Sequence, residues 1–112
     1  MAAANYAYNT SDAFYVGRAL DELGAYWFEE PIAPEDLDGY RELRAGLKVS
    51  ISGGEAEFNR WDWPGLPESR GSDIAQPEVC ALGGITEYLR VLALCGSVGQ
   101  VALGIHLKNP VW

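Results

Sequence analysis

The chain has few basic residues and no long apolar run. Eight Lys and Arg residues stand against sixteen Asp and Glu residues, and the net charge at pH 7 is −8. Such a surface repels nucleic-acid phosphates and anionic lipids, so we expect neither as a partner. Polar residues and glycine break the weakly apolar stretch 91–105, and the N-terminus lacks the basic flank and apolar segment of a signal peptide. We therefore predict a cytoplasmic protein without a membrane span.

Cysteine is scarce, and a glycine-rich phosphate loop is missing. Cys80 and Cys95 are too few for a disulfide framework and lack the Cys-x-x-Cys spacing of a redox or zinc site. We expect both to be buried free thiols. Neither G-x-G-x-x-G nor G-x-x-x-x-G-K follows the first predicted strand. An independent nucleotide-binding protein is therefore disfavoured.

Helical and strand patterns alternate along the chain, which is typical of an α/β domain. Helices are predicted over residues 10–23, from Pro34 to Gly46 and after Gly83-Gly84. Strands are predicted over residues 25–28, 48–52, 72–76 and 98–105, with a loop and a short helix in residues 56–71. This order predicts βαβ units with a parallel sheet. No linker divides the chain, so we expect one domain.

Apolar residues at helical spacing predict how the helices begin and which faces they bury. Thr10 or Ser11 is expected to cap the first helix. On the last helix, the apolar face is expected to hold Ile85, Tyr88, Leu89, Leu92 and Cys95.

Each predicted strand is followed by a residue that can titrate or bind a metal: Glu29 or Glu30, then Glu55, Glu78 and His106. Their spacing of 26 (29 to 55), 23 (55 to 78) and 28 residues (78 to 106) matches one βα unit. Adjacent parallel strands lie about 4.8 Å apart, so these side chains converge, although only one of Glu29 and Glu30 can face the site. Clustered carboxylates need a cation, and oxygen ligands favour Mg²⁺, with Mn²⁺ as second choice.

Four sequence features in this order carry a family resemblance: WFEEP (27–31), GGE (53–55), DIAQPEVCALGGITE (73–87) and the later His106. Together with their spacing, they resemble the barrel domain of the enolase superfamily, in its mandelate racemase branch. The resemblance covers almost the whole chain. It implies an α/β fold that is a partial (β/α)8 barrel of the TIM type, about strands three to seven. Residues 1–112 would form a single partial C-terminal barrel domain, without the capping domain and the first and last strands.

The resemblance also implies roles for individual residues. In that family, three carboxylates at the ends of the third, fourth and fifth barrel strands hold Mg²⁺. The second and third correspond to Glu29 and Glu55, whereas Ala3 occupies the first position. The catalytic His corresponds to His106, and the acid that orients it corresponds to Glu78, one methylene longer than the usual Asp. A Lys-x-Lys pair on the second strand and an acid on the eighth have no counterpart.

The implied chemistry is removal of a proton α to a carboxylate, with the cation stabilising the enediolate and His106 acting as general base or acid. The substrate would be a small hydroxy acid or sugar acid, and the reaction a dehydration, racemisation or lactone cycloisomerisation in a homo-oligomer. Because Ala3 removes one ligand and the Lys-x-Lys pair is missing, we expect an incomplete domain that is weak or inactive alone. Whether it is an enzyme stays open, and a non-catalytic degenerate α/β module of the same family is the alternative.

Overall fold

A computed structural model of the protein describes residues 1–61, 63 and 72–103. The predicted strands and the three longer helices are found in the predicted order, with ends that differ by a few residues, and a further strand at Ala2–Ala3 was not predicted from the sequence pattern. The elements are β1 (Ala2–Ala3), α1 (Thr10–Glu22), β2 (Trp27–Glu29), α2 (Leu37–Gly46), β3 (Ser50–Gly53), β4 (Ile74–Ala75), α3 (Ile85–Ser97) and β5 (Val101–Ala102). Most of the segment predicted to hold a short helix, and the end of the last predicted strand, lie outside the described residues. No helix in the described ranges is long and apolar enough to cross a membrane.

The five strands form one parallel sheet in chain order, β1-β2-β3-β4-β5. Doubly wound sheets reverse their strand order, whereas a barrel adds each strand beside the previous one. The observed order is therefore that of consecutive barrel strands. One row of the register runs across all five strands, through Ala3, Glu29, Ser52, Ile74 and Val101.

The two faces of the sheet differ in chemistry. Phe28 and Ile51 are partners in the register, and both are buried against the helices in one core cluster. The other members of that cluster are Ala13, Ile32, Tyr40, Leu43 and Val49. Because successive strand residues face opposite ways, Trp27, Glu29 and Ser52 point away from these helices, toward the concave side of the sheet. This polar face is where the candidate site lies.

The first helix begins at Thr10 as predicted, but its N-cap lies before the predicted candidates, and its end is bonded to the segment that enters β3. Asn9, not Thr10 or Ser11, is the N-cap, because its extended backbone lets its side chain accept from the Asp12 amide at 2.9 Å. Near the other end, the Asp21 carboxylate accepts from the backbone amides of Lys48 and Val49. These bonds hold the start of β3 against α1.

The predicted face of the last helix is wrong in part. Val91 and Cys95 are the buried residues of α3, and they pack with Trp63, Ala75 and Leu82 in a second core cluster. Ile85 and Leu89, predicted to be buried, are 71% and 59% exposed. Their spacing fits an apolar stripe, but the stripe that contacts the sheet lies to one side of them.

The cysteine prediction is half right. Cys95 is a buried free thiol, as predicted, whereas Cys80 is a free thiol that is exposed. Cys80 lies between β4 and α3, in a segment where Glu78 and Leu82 are buried, and no periodic pattern in the sequence predicts which residues of this segment face solvent.

We expect the isolated chain to self-associate. Within the described residues, the sheet ends at β1 on one side and at β5 on the other, and Val101 of β5 is 57% exposed. An edge with unpaired backbone groups can pair with another chain. Sedimentation velocity is expected to show a mass that increases with concentration, and a single monomeric species at all concentrations would contradict this expectation.

Candidate functional site

The structure brings three of the four predicted site residues to the same edge of the sheet. Glu29 is the last residue of β2, Glu55 follows β3 by two residues, and Glu78 lies shortly after β4. The carboxyl ends of parallel strands meet at one edge, which is where ligands bind in such sheets. Glu29 and Glu55 also lie within electrostatic range of one carboxyl group, that of Glu30. His106 lies outside the described residues, and its role stays a prediction.

The Glu29 carboxylate is held by two neutral donors that the sequence analysis missed. Trp27 Nε1 and Gln76 Nε2 each donate to Glu29 Oε2 at 3.1 Å. The period of two places Trp27 and Glu29 on one face of β2, so the first donor could have been found from the sequence. Gln76 comes from beyond the end of β4, 47 residues away. Both donors bind the same oxygen, and because both are neutral, neither cancels the negative charge of the carboxylate.

Glu30 turns away from Glu29 and is buried. Its side chain is 3% exposed, its backbone is left-handed with φ 45, and its Oε1 accepts from the Tyr6 hydroxyl at 2.5 Å. The nearby Glu55 backbone amide acts to lower the pKa of this carboxyl group, but more weakly than burial acts to raise it. Burial raises the pKa of Glu30 to about 7, and the charges of Glu55 and Glu29 act in the same direction. Burial, together with the bond to Glu30, likewise raises the pKa of Tyr6 above its usual range.

Ala3 occupies a ligand-like position next to Glu29. Its Cα is paired with that of Glu29 in the register. Ala2 and Ala4, on either side, pack against the helix core, so Ala3 faces the concave side and is exposed. A methyl group therefore lies next to Glu29, at the position that the family resemblance predicts for the first metal ligand.

Glu78 is buried at the end of the next strand. It is 8% exposed, and its Oε1 accepts from the Cys80 backbone amide at 3.0 Å. Its Oε2 is buried without a hydrogen-bond partner in the part of the chain that the structure describes. A buried acceptor of this kind requires a donor. The pairing of Glu78 with His106 stays a prediction.

The donor set at this edge suits a hydrated Mg²⁺ ion, although it is not a closed cage. Within residues 1–61, 63 and 72–103, no three His, Cys, Asp or Glu side chains are placed to hold a metal together. Mg²⁺ keeps several waters and is often held by only one or two protein carboxylates, a number that Glu29 and Glu55 supply. Ser52 Oγ and Gln76 Oε1 are buried without a partner among the described residues. Both oxygens can accept a hydrogen bond from a water molecule bound to Mg²⁺. The residues present are therefore compatible with a hydrated Mg²⁺ ion.

The buried Glu30 predicts a stability that falls as the pH rises. Its pKa is about 7 in the folded chain and about 4.5 when exposed, so the folded state binds the proton more tightly. Its contribution is fully present below pH 4.5 and is lost as the pH rises through 7. In EDTA, urea unfolding of the wild type relative to Glu30→Gln is expected to lose about 1–3 kcal/mol between pH 4.5 and pH 8. Equal pH profiles for the two proteins would contradict this assignment.

Comparison with known proteins assigns the chain to a family. The model of the Enolase C-terminal domain-like family matches residues 1–109. The chain is 38% identical over 111 residues to a D-galactarolactone cycloisomerase from Agrobacterium fabrum, an alignment that covers 97% of this chain and 28% of the relative. These matches confirm the resemblance to the enolase superfamily. The chain spans less than a third of the length of this relative.

Two solved structures extend the comparison to the fold. A racemase from Streptomyces coelicolor A3(2) with bound magnesium superposes with a TM-score of 0.90 at 26% identity, covering 96% of this chain and 32% of the racemase. An L-talarate/galactarate dehydratase from Salmonella typhimurium LT2, liganded with Mg and L-lyxarohydroxamate, gives 0.87 at 27% identity and covers 95% and 27%. The predicted α/β fold, part of a TIM-type barrel, is confirmed. Both relatives hold the predicted metal.

Proposed function

Because this chain belongs to the Enolase C-terminal domain-like family, we propose that it forms part of the barrel of a Mg²⁺-dependent lyase or isomerase. The reaction is removal of a proton α to the carboxylate of a small hydroxy acid or sugar acid. Its relatives support this class, since they include a sugar-lactone cycloisomerase, a racemase and a sugar-acid dehydratase. Residues 1–112 act in this proposal as one partial barrel domain, about strands three to seven.

The observation that carries the proposal is the placement of Glu29 and Glu55 at the ends of adjacent strands. Their charges act on one shared neighbour, the Glu30 carboxyl group. Carboxylates that share one site repel each other, and a divalent cation removes that repulsion. The two neutral donors on Glu29 Oε2 orient the carboxylate and leave its negative charge available for the cation.

Each residue of the site has a separate task in the proposed reaction. When bound, Mg²⁺ (or Mn²⁺) supplies a Lewis acid that stabilises the negative charge developing on the substrate carboxylate. Glu29 and Glu55 hold the cation. His106 takes or returns the α-proton, and the buried Glu78 orients its imidazole and stabilises the imidazolium form.

A non-catalytic module of the same family is the second candidate. The observation that favours it is Ala3, whose methyl group faces the site in register with Glu29. With one carboxylate missing, the site has lower charge, and the affinity for a divalent cation falls with ligand charge. On this alternative the fold is retained, and the 112-residue chain binds no cation at millimolar concentration.

Cation binding separates the two candidates. The full chain, titrated with MgCl₂ by calorimetry and with MnCl₂ by electron paramagnetic resonance, is expected to bind saturably at millimolar cation. Glu29→Gln and Glu55→Gln are each expected to weaken this binding by about tenfold or more, because each removes a charged ligand. Glu42→Gln, an exposed acid on α2, makes the same change in net charge and is expected to leave binding unchanged.

Two outcomes would count against the proposal. If the wild type binds neither cation, the non-catalytic module is the better description. If binding occurs but survives both Glu29→Gln and Glu55→Gln, the cation lies elsewhere and the assigned ligands are wrong.

A further inference from the structure

The Gln76 side chain joins two strands that are not neighbours in the sheet. Strands β2 and β4 lie on either side of β3, so their backbones are about 10 Å apart, beyond the reach of a backbone hydrogen bond. Gln76 spans this distance, because its Nε2 donates to Glu29 Oε2 at 3.1 Å. The β3 residue in register with Glu29 is Ser52, and its small side chain does not block this path. Gln76 is 5% exposed, so the bond is shielded from water.

The backbone of Gln76 is bonded to the strand end that carries the second proposed ligand. Its amide donates to Gly53 O at 3.0 Å, and Gly53 lies two residues before Glu55. Gln76 also directly follows β4, and Glu78 lies two residues further along the chain. One residue therefore contacts the end of β2 through its side chain and the end of β3 through its backbone, while it belongs to the strand that leads to Glu78.

The charge of the donor matters as much as its position. Three other acids each form an ion pair with an arginine: Asp38, Asp73 and Glu87. Glu29 has no such partner within the ranges that the structure describes, and its hydrogen bonds there come from the neutral side chains of Trp27 and Gln76. A lysine or arginine at position 76 would bind Glu29 more strongly, but it would cancel the charge that a cation requires. An amide holds the carboxylate and leaves its charge unchanged.

We infer that Gln76 is a positioning residue whose neutral amide, reaching across β3, holds the Glu29 carboxylate in a fixed place relative to Glu55 and Glu78 and leaves its charge to the cation. This inference rests on the proposed function and deepens it. Trp27 cannot set these distances, because it belongs to the same strand as Glu29. Gln76 therefore couples the cation side of the site to the side where Glu78 lies.

Gln76→Met tests this role, because methionine has about the length of glutamine but no donor. In the full chain, Mn²⁺ affinity measured by electron paramagnetic resonance at pH 8 is expected to fall about tenfold, as for other groups that orient metal ligands. Gln76→His is the conservative variant, since a neutral imidazole carries an N–H at a similar distance from the backbone. It is expected to keep the affinity within about threefold of the wild type.

Gln100→Met is the matched control. The Gln100 side chain also joins two segments, because its Nε2 donates to Ser72 O at 3.1 Å and to Ser72 Oγ at 2.9 Å. It does so at the opposite edge of the sheet, just before β4 and β5 begin. Both methionine variants are expected to unfold at a lower urea concentration than the wild type. Only Gln76→Met is expected to lose Mn²⁺ affinity.

The outcomes separate this inference from the proposed function. Wild-type affinity in Gln76→Met, an equal loss in Gln100→Met, or a Gln76→His chain as weak as Gln76→Met would overturn the positioning role while leaving the cation site in place. Absence of Mn²⁺ binding in the wild type would overturn the proposed function, and the positioning role with it.

Gln76→Lys replaces Gln76→Met if the methionine variant does not unfold cooperatively. Lysine keeps a donor opposite Glu29 but cancels its charge, so the urea midpoint is expected to stay close to that of the wild type. The Mn²⁺ affinity is expected to fall by more than about tenfold. An unchanged affinity in this variant would overturn the positioning role.

Discussion

Ala3→Asp is expected to raise the Mg²⁺ affinity of the chain by about ten- to hundredfold. The side chain at position 3 faces the concave side of the sheet, directly beside Glu29 in the register. An Asp there adds a third carboxylate to the two that the structure places at this edge. Divalent-cation affinity rises with the number of charged ligands. Calorimetric titration of the full chain with MgCl₂ measures the change.

Ala3→Asn is the matched control for this substitution. Its amide has nearly the shape of Asp but carries no charge, so only a small gain is expected. In EDTA, Ala3→Asp is expected to be less stable than the wild type, because a further carboxylate stands beside Glu29, and Mg²⁺ should restore the difference. An Ala3→Asp chain with unchanged Mg²⁺ affinity would show that position 3 does not face the cation.

Gly54→Ala is expected to lower the free energy of unfolding by about 3 kcal/mol or more. A Cβ at this position would lie 2.6 Å from Cη2 of Trp63, and its backbone has a φ of +124. Trp63 is 1% exposed and belongs to the second core cluster, so its ring cannot move aside without disturbing Ala75 and Leu82. Urea denaturation at fixed pH measures the loss. The same variant displaces Glu55, so its Mn²⁺ affinity is expected to fall as well.

Gly83→Ala is the control that separates the steric cost of an added Cβ from the cost of a positive φ. Gly83 also has a positive φ, +78, but a Cβ there would meet nothing within 4 Å. It is therefore expected to cost only about 1 kcal/mol. Equal losses for Gly54→Ala and Gly83→Ala would mean that the contact between Gly54 and the Trp63 ring does not matter.

The sequence predicted that Glu29, Glu55 and Glu78 would lie at one edge of the sheet, because their spacing follows from the length of one βα unit. Alternation along β2 also predicted that only one acid of the Glu29–Glu30 pair can face the site. The sequence could not predict the contacts of the second acid, Glu30. Glu30 is buried and bonded to Tyr6, which comes from another segment, and local periodicity carries no information about such a contact.

The buried helix faces could also be predicted only in part from the sequence. On α3, the apolar residues fit more than one stripe, and the sheet selects the one through Val91 and Cys95 and leaves Ile85 exposed. Asn9, Thr10 and Ser11 are all of a residue type that is favoured at N-caps, and Asn9 is the one with the extended backbone that a cap needs. In both cases tertiary packing decides between alternatives that the local sequence leaves nearly equal.

The central claim is that the Glu29 and Glu55 carboxylates share one divalent cation. Crystals of the full chain soaked in MnCl₂ test this claim most directly, because manganese scatters anomalously and can be located without prior phases. The account predicts one anomalous peak bonded to an oxygen of Glu29 and an oxygen of Glu55, with water in the remaining positions. A peak elsewhere, or none at saturating MnCl₂, with the two carboxylates pointing apart, would contradict it.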